Sequence, residues 1–299
     1  MGENSFDNSS VKDFVPLKDA ASEAVEQIEN LTEEESSLTG ISTGFIEFDR
    51  FTAGLKQSCL IIIAATPAMG KTTLALNIAG HIAINEKLPI AFFSMEIDRK
   101  EFAWRILSSR ALIDKQKLRK GVLDKDEWHR LKGALNDINK SKLFVDDTPG
   151  QTVEEVLEKA RGLHAQQGLQ AIFVDNLQLL DSREEIEDRE RELANITRSL
   201  KDLGQELNLP LVALFQLNNP DQNEAEQRPV LNDHTDLSVV EKDADLIAFI
   251  YRKDHNYPAN LMRMDNTEII IAKQRDGQVG TFELNFMKHL CRFKDSSEA

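Results

Sequence analysis

Cysteine is nearly absent, with only Cys59 and Cys291 in 299 residues. The two stand far apart in apolar surroundings, so the chain offers neither a disulfide framework nor a paired-cysteine metal site, and a reducing compartment is implied. Basic residues are also short: 36 Lys and Arg face 51 Asp and Glu, a net charge of −15. That deficit excludes a protein that coats nucleic acid by bulk electrostatics and confines any nucleic-acid contact to local patches. Long apolar runs are missing as well. The N-terminal MGENSFDNSS carries no signal core, and runs such as Leu60–Ala65 have the length of a strand, not of a membrane span. A soluble, cytoplasmic protein with no membrane association is expected. No internal repeat of the kind that builds solenoids is evident.

The chain does contain a regular alternation. Its 41% hydrophobic content suffices for one principal domain with a sizeable core. Residues 1–13 are polar and acidic, with too few apolar groups to offset the entropy of ordering, and are expected to form a disordered tail. From Pro16, the residues Leu17, Ala21, Ala24, Ile28 and Leu31 recur at three- and four-residue steps, which predicts a helix with one narrow apolar stripe. That stripe needs a partner surface, in its own domain or on another subunit. Beyond a turn near residues 39–44, short apolar runs alternate with helical stretches. The runs are Leu60–Ala65, Ile90–Ser94, Leu143–Asp146, Ala171–Asp175, Leu211–Gln216, Leu246–Tyr251 and residues 268–273. This order predicts an α/β fold built on a largely parallel, buried sheet. Residues 281–293 read as a closing hairpin.

Ala65, Thr66, Pro67, Ala68, Met69, Gly70, Lys71, Thr72 and Thr73 follow a predicted strand and open a helix predicted over residues 72–85, taken as amphipathic. In that context GKTT reads as a P-loop. Backbone N–H groups and the helix N-terminus surround phosphates, Lys71 reaches the terminal ones, and the Thr72 hydroxyl binds Mg²⁺. The usual first glycine of such a loop is Ala65 here. Asp175 ends an apolar strand at the ligand-bearing edge of the sheet and suits the same metal ion. ATP and Mg²⁺ are therefore the expected cofactors. Hydrolysis needs a base or water-positioner, and two strand ends offer one: Glu96 as the base and Gln216 as a sensor of the γ-phosphate.

Eight segments then carry a resemblance. GISTGFIEFDRFTAGL, AATPAMGKTT, FFSMEI, LFVDDTPG, IFVDNLQLL, ITRSLKDLGQELNLPLVALFQLN, VEKDADLIAFIYR and IIIAKQRDGQVGT occur in an order and spacing similar to the motor domain of DnaB-family replicative DNA helicases. The resemblance covers residues 14–293, and the KQRDG and EKDAD motifs separate it from RecA recombinases. It implies a RecA-like P-loop fold at residues 38–299 and a linker helix at 14–37 that packs on the adjacent motor domain of a homohexameric ring. Glu96 matches the family's catalytic glutamate, Asp175 its Walker B aspartate and Gln216 its γ-phosphate sensor. Lys273 and Arg275 match residues that reach into the neighbouring subunit's ATP site, Arg275 as the arginine finger. Arg105 matches an arginine placed near the nucleotide. No segment corresponds to the family's N-terminal helical domain, which binds primase.

The implied activity is ATP-driven 5′ to 3′ translocation on single-stranded DNA, with a helicase loader or primase as further partners. The DNA-facing side departs from the family pattern. Thr235, Asp236, Leu237 and Ser238 stand where Arg-Glu-Ser-Gly is usual, Asn219 replaces an arginine and Asn176 a tyrosine, and residues 181–188 are acidic. Backbone amides over 236–241, including Glu241, remain candidates for holding DNA phosphates, with weaker grip expected. Two alternatives follow: an ATP-dependent ring or adaptor that does not translocate, and a recombinase-like filament former.

Overall fold

The computed structural model describes residues 38–182, 188–217, 228–231, 235–253 and 264–296, with residues 16–19, 21, 22 and 25 of the N-terminal stretch. The chain divides into two units, Met1–Thr39 and Gly40–Ala299. In the first, the described residues 17–19, 21, 22 and 25 are helical, and Leu17 and Ala21 of the expected stripe are exposed. The expected disordered tail and the rest of the stripe lie outside the described residues.

The second unit is a nine-stranded sheet in the order β3-β2-β4-β5-β1-β6-β7-β8-β9. Its strands are β1 Leu60–Ala65, β2 Ile90–Ser94, β3 Leu143–Asp146, β4 Ala171–Asp175, β5 Leu211–Gln216, β6 Leu246–Tyr251, β7 Asp265–Gln274, β8 Gly280–Met287 and β9 Arg292–Asp295. The first six in that spatial order pair in parallel, and the remaining pairings are antiparallel. The sheet is largely parallel, as expected, because helices connect the six strands and cover both faces.

Among the described residues, eight α-helices accompany it: α1 Ile46–Thr52, α2 Lys71–Gly80, α3 Arg99–Ala111, α4 Lys115–Lys120, α5 Lys125–Asn139, α6 Val153–Gln167, α7 Arg189–Glu206 and α8 Thr235–Glu241. Strand alternation sorts the core into two layers. Ile61 and Ile63 pack with Phe48, Leu74, Ile78 and Phe92 on one face. Leu60 and Ile62 pack with Val156, Ile196, Leu200 and Leu237 on the other. Among the described residues, no helix is long and apolar enough to cross a membrane.

Two expectations need correction. The helix after the P-loop is not amphipathic: every residue of α2 except Asn77 is buried, because it runs between the sheet and the elements α3 and β9. It also ends at Gly80 and continues as a π-helical turn over His81–Asn85. β7 is longer than its apolar run suggested, since the polar residues Asp265, Asn266 and Thr267 gain ladder partners in Phe286, Asn285 and Leu284. The closing hairpin is present as β8 and β9.

Phe92 sits at the centre of the first layer, 1% exposed, stacked on Phe173 at 5.5 Å and edge-on to Phe102 at 5.0 Å. Truncating it leaves a cavity that three elements would have to collapse to fill. Phe92→Ala is expected to cost about 3–5 kcal/mol, read as a lowered midpoint of urea unfolding with an unchanged slope.

Candidate nucleotide-binding site

A parallel sheet buried on both faces presents polar groups chiefly at its carboxyl edge. Ala65 ends β1 beside Gln216 at the end of β5, and Ser94 of β2 pairs with Asp175 of β4. Past these strand ends lies a cavity of about 250 Å³, lined by residues 66–73, Glu96, Arg105, Lys115, Gln216, Phe286, Lys288 and Cys291. The chain thus brings together Thr66, Pro67, Ala68, Met69, Gly70, Lys71, Thr72, Thr73, Glu96, Arg105 and Gln216, all expected from the sequence. Asp175 is expected too but is not among the lining residues, and neither is Ala65. Ala65 is fully buried within β1 and forms no wall of the cavity, because its ladder pairing holds it inside the sheet.

The loop's shape has identifiable supports. Gly70 adopts φ +105°, and a Cβ there would lie 2.9 Å from Cζ of Phe293, so both backbone and space require glycine. Phe293 stacks on Phe286 at 4.4 Å, and the buried Arg252 guanidinium lies 5.0 Å above the Phe286 ring. Arg252 Nη2 donates to the Ala68 carbonyl at 2.9 Å and Nη1 lies 3.3 Å from Asp265 Oδ2. Burial lowers the Arg252 pKa, with Asp265 opposing the shift.

The charges converge beneath the loop. Lys71, with its side chain 8% exposed, places Nζ 3.6 Å from Glu96 Oε2, while Glu96 itself is 41% exposed. Asp175 is completely buried, and neither of its carboxylate oxygens meets a hydrogen bond of full geometry, although Thr72 and Glu96 lie alongside. Burial raises its pKa to about 6, Lys71 opposing and Glu96 adding to the rise. Gln216 is fixed through its backbone: Gln178 Nε2 donates to the Gln216 carbonyl at 2.7 Å, and the Gln216 N–H donates to Gln178 Oε1 at 2.8 Å. Asn176 in turn holds Gln178, its Oδ1 accepting from the Gln178 N–H at 2.9 Å.

Lys273 and Arg275 are not among the residues that line the cavity. Lys273 Nζ donates to the Glu241 carbonyl, and burial, followed by Arg275, lowers its pKa. Arg275 donates to the Lys242 carbonyl at 2.8 Å and lies 3.2 Å from Asp245 Oδ1, with its side chain 48% exposed. The EKDAD segment therefore anchors the KQR segment.

A family model described as DnaB-like helicase C terminal domain matches residues 40–295. The chain belongs to this family. The DnaB-like chain is 38% identical over 285 residues to the replicative DNA helicase DnaB of Leifsonia xyli, covering 95% of its own length and 62% of that relative. It is 39% identical over 281 residues to the replicative DNA helicase DnaC of Bacillus subtilis, covering 94% and 62%. It thus spans about three-fifths of the length of these curated relatives. Among solved structures it resembles "ATPase Domain of G40P", with a TM-score of 0.85 and 33% identity over 95% of this chain and 99% of that one. A DnaB-like replicative helicase solved with attention to its interactions with primase gives 0.82 and 32% over 95% and 67%. A KaiC-like protein of Pyrococcus horikoshii, at 0.56 and 14% identity over 85% and 97%, shares the fold alone. The expected RecA-like α/β architecture is borne out.

The region expected to face DNA differs from the sequence reading. Residues 236–241 belong to helix α8 and not to an open loop, so the amides beyond its first turn are committed within the helix. Leu237 is completely buried in the second core layer, so its side chain belongs to the core. Ser238 is exposed and Asp236 and Glu241 are half-buried. Asp188 caps α7, accepting from the Glu190 N–H at 3.1 Å. Asn219, residues 183–187 and the Thr235 side chain lie outside the described residues. The sequence reading also missed Arg252, Lys115, Phe286, Lys288 and Cys291. Only Arg252 left a signal, as an arginine immediately following the wholly apolar strand Leu246–Tyr251.

Asp175 carries a pH signature. Its pKa in the folded chain, about 6, lies above the ordinary 3.8, so the folded state holds the extra proton. Stability from this group is complete below 3.8 and is lost as pH rises through about 6. Asp175→Asn is expected to stabilise the nucleotide-free protein by on the order of 1–3 kcal/mol near neutral pH and by little at about pH 4. Urea unfolding at the two pH values checks this, and an equal effect at both would contradict it.

Proposed function

We propose that this chain is the motor part of a DnaB-type replicative DNA helicase, hydrolysing ATP at the interfaces of a homohexameric ring to move 5′ to 3′ on single-stranded DNA. One observation carries this reading: Lys71, Thr72, Glu96, Asp175 and Gln216 converge at one sheet edge, while Lys273 and Arg275 are braced elsewhere on the chain's surface. The relatives' names favour the translocating motor over the non-translocating adaptor.

In this reading, Lys71 and the loop amides offset the charge of the β- and γ-phosphates, and Glu96 takes the proton of the attacking water. The Gln216 side chain contacts the γ-phosphate. Arg275 from a neighbouring subunit stabilises the charge that develops as the phosphoryl group leaves. Among the described residues, no group of three or more His, Cys, Asp or Glu side chains gathers into a metal centre. Magnesium suits Asp175 and Thr72 nonetheless, because this ion keeps several waters and phosphate oxygens and needs only one or two protein ligands. The unpartnered Asp175 oxygens fit that role. When bound, the ion neutralises phosphate charge and orients the chain of phosphates.

In this reading the linker helix expected at 14–37 docks its apolar stripe on the adjacent subunit. A primase or helicase loader completes the set of partners.

Two substitutions separate binding from chemistry. Lys71→Ala is expected to abolish tight nucleotide binding, whereas Glu96→Gln keeps binding and lowers turnover by roughly 10²-fold or more. Titration with a fluorescent ATP analogue and a phosphate-release assay read the two effects. Wild-type turnover by Glu96→Gln would reject its role as the base.

A further inference from the structure

The cavity is bordered by four cations, Lys71, Arg105, Lys115 and Lys288. Lys71 belongs to the P-loop, and Arg105 was anticipated from the sequence. Lys115 was not, and its surroundings set it apart. It is the first residue of α4, a helix capped by Asp114, whose side chain accepts from the Gln116 N–H at 2.6 Å.

Its ammonium lies 3.1 Å from Glu101 Oε1, and the same oxygen accepts from Arg105 Nε at 2.9 Å. The second oxygen, Oε2, accepts from Arg119 Nη2 at 2.5 Å. Burial opposes ionisation of Glu101, but the hydrogen bonds from Arg105, Lys115 and Arg119 outweigh it and leave the pKa at about 2. Glu101 is therefore a fixed anion, with its side chain 14% exposed.

Three cations share this single carboxylate, so positive charge remains uncompensated beside the cavity. Arg119 turns away from it: its guanidinium lies 5.2 Å from the centre of the Trp104 ring, and it is not among the lining residues. Lys115 and Arg105 are the two that border the space. An ammonium has three donors, and Glu101 engages one of those on Lys115, which leaves the others to face an anion entering the cavity. The side chain keeps 25% of its surface exposed.

We propose that Lys115 is a nucleotide-binding residue of this site, held by Glu101 so that its ammonium hydrogen-bonds the phosphate chain of a bound nucleoside triphosphate. This rests on the reading of the cavity as an ATP site and adds to it a cation outside the P-loop. It also gives α4 a direct link to the nucleotide.

The test is titration of the full chain with a fluorescent, non-hydrolysable ATP analogue, using Lys115→Ala, Lys115→Arg, Arg119→Ala and Lys71→Ala. Lys115→Ala is expected to weaken binding about tenfold, the scale of one charge-assisted hydrogen bond. Lys115→Arg, which keeps the charge, is expected to stay within about threefold. Arg119→Ala removes a Glu101 contact without touching the cavity, so binding within about twofold of wild type is expected from it. Wild-type affinity in Lys115→Ala would overturn the proposal. So would an Arg119→Ala loss as large as that of Lys115→Ala, since disturbance of the Glu101 cluster would then account for both. If Lys71→Ala abolishes binding while Lys115→Ala is silent, this inference alone falls. If Lys71→Ala also binds normally, the nucleotide site itself has been misassigned and the inference falls with it.

Discussion

The site depends on burial of opposite charges at the carboxyl edge of a sheet that is otherwise dry. Asp175 is completely buried and Lys71 nearly so, and the Asp175 carboxylate has no hydrogen-bond partner of full geometry. Such a group is costly unless something compensates it. The P-loop, Thr72 and Glu96 surround this one unpaired acid, and the strands β1, β2, β4 and β5 place them there by register. The raised Asp175 pKa and the proposed catalytic geometry thus share one physical cause, the exclusion of water from that edge.

Two networks around this centre keep its parts apart. Arg252, Phe286 and Phe293 brace the P-loop from one side, with Arg252 bonded to the Ala68 carbonyl and Phe293 filling the space beside Gly70. Asp245 organises the other. It accepts from Lys201 Nζ and, at 2.7 Å, from the Leu60 N–H, so it fixes the start of β1 as well as Arg275. Both contacts of Arg275 are made by its guanidinium, and about half of the side chain stays exposed.

The strands were legible in the sequence because each is a short, almost wholly apolar run, and six of the seven expected ranges match the observed ones. The P-loop and the strand-end residues Glu96, Asp175 and Gln216 were legible for a related reason: polar residues that interrupt such runs stand out. Other features left weaker traces. The helix expected over 72–85 reads as amphipathic, yet its polar residues Thr72 and Thr73 are buried beside the cavity. Leu237 read as part of a channel loop because the family pattern was applied by position, whereas its apolar side chain belongs to the core. Lys115 carried no signal at all. Its placement depends on α4 folding back against the 3₁₀ turn Lys288–Leu290, a tertiary contact that local pattern does not encode.

The central claim is that one working ATP site takes residues from two copies of this chain: Glu96 from one and Arg275 from the next. Mixing Arg275→Ala subunits with Glu96→Gln subunits tests it most directly, with ATP turnover measured across mixing ratios and mixed assemblies confirmed by native mass spectrometry. Some interfaces in a mixed ring then join an intact Glu96 to an intact Arg275, and turnover is predicted to rise above that of either mutant alone. An arginine finger contributes about 10³-fold or more to the rate, so even a few such interfaces stand clear of the background. Mixed rings with no mixture exceeding the separate mutants would contradict the shared site.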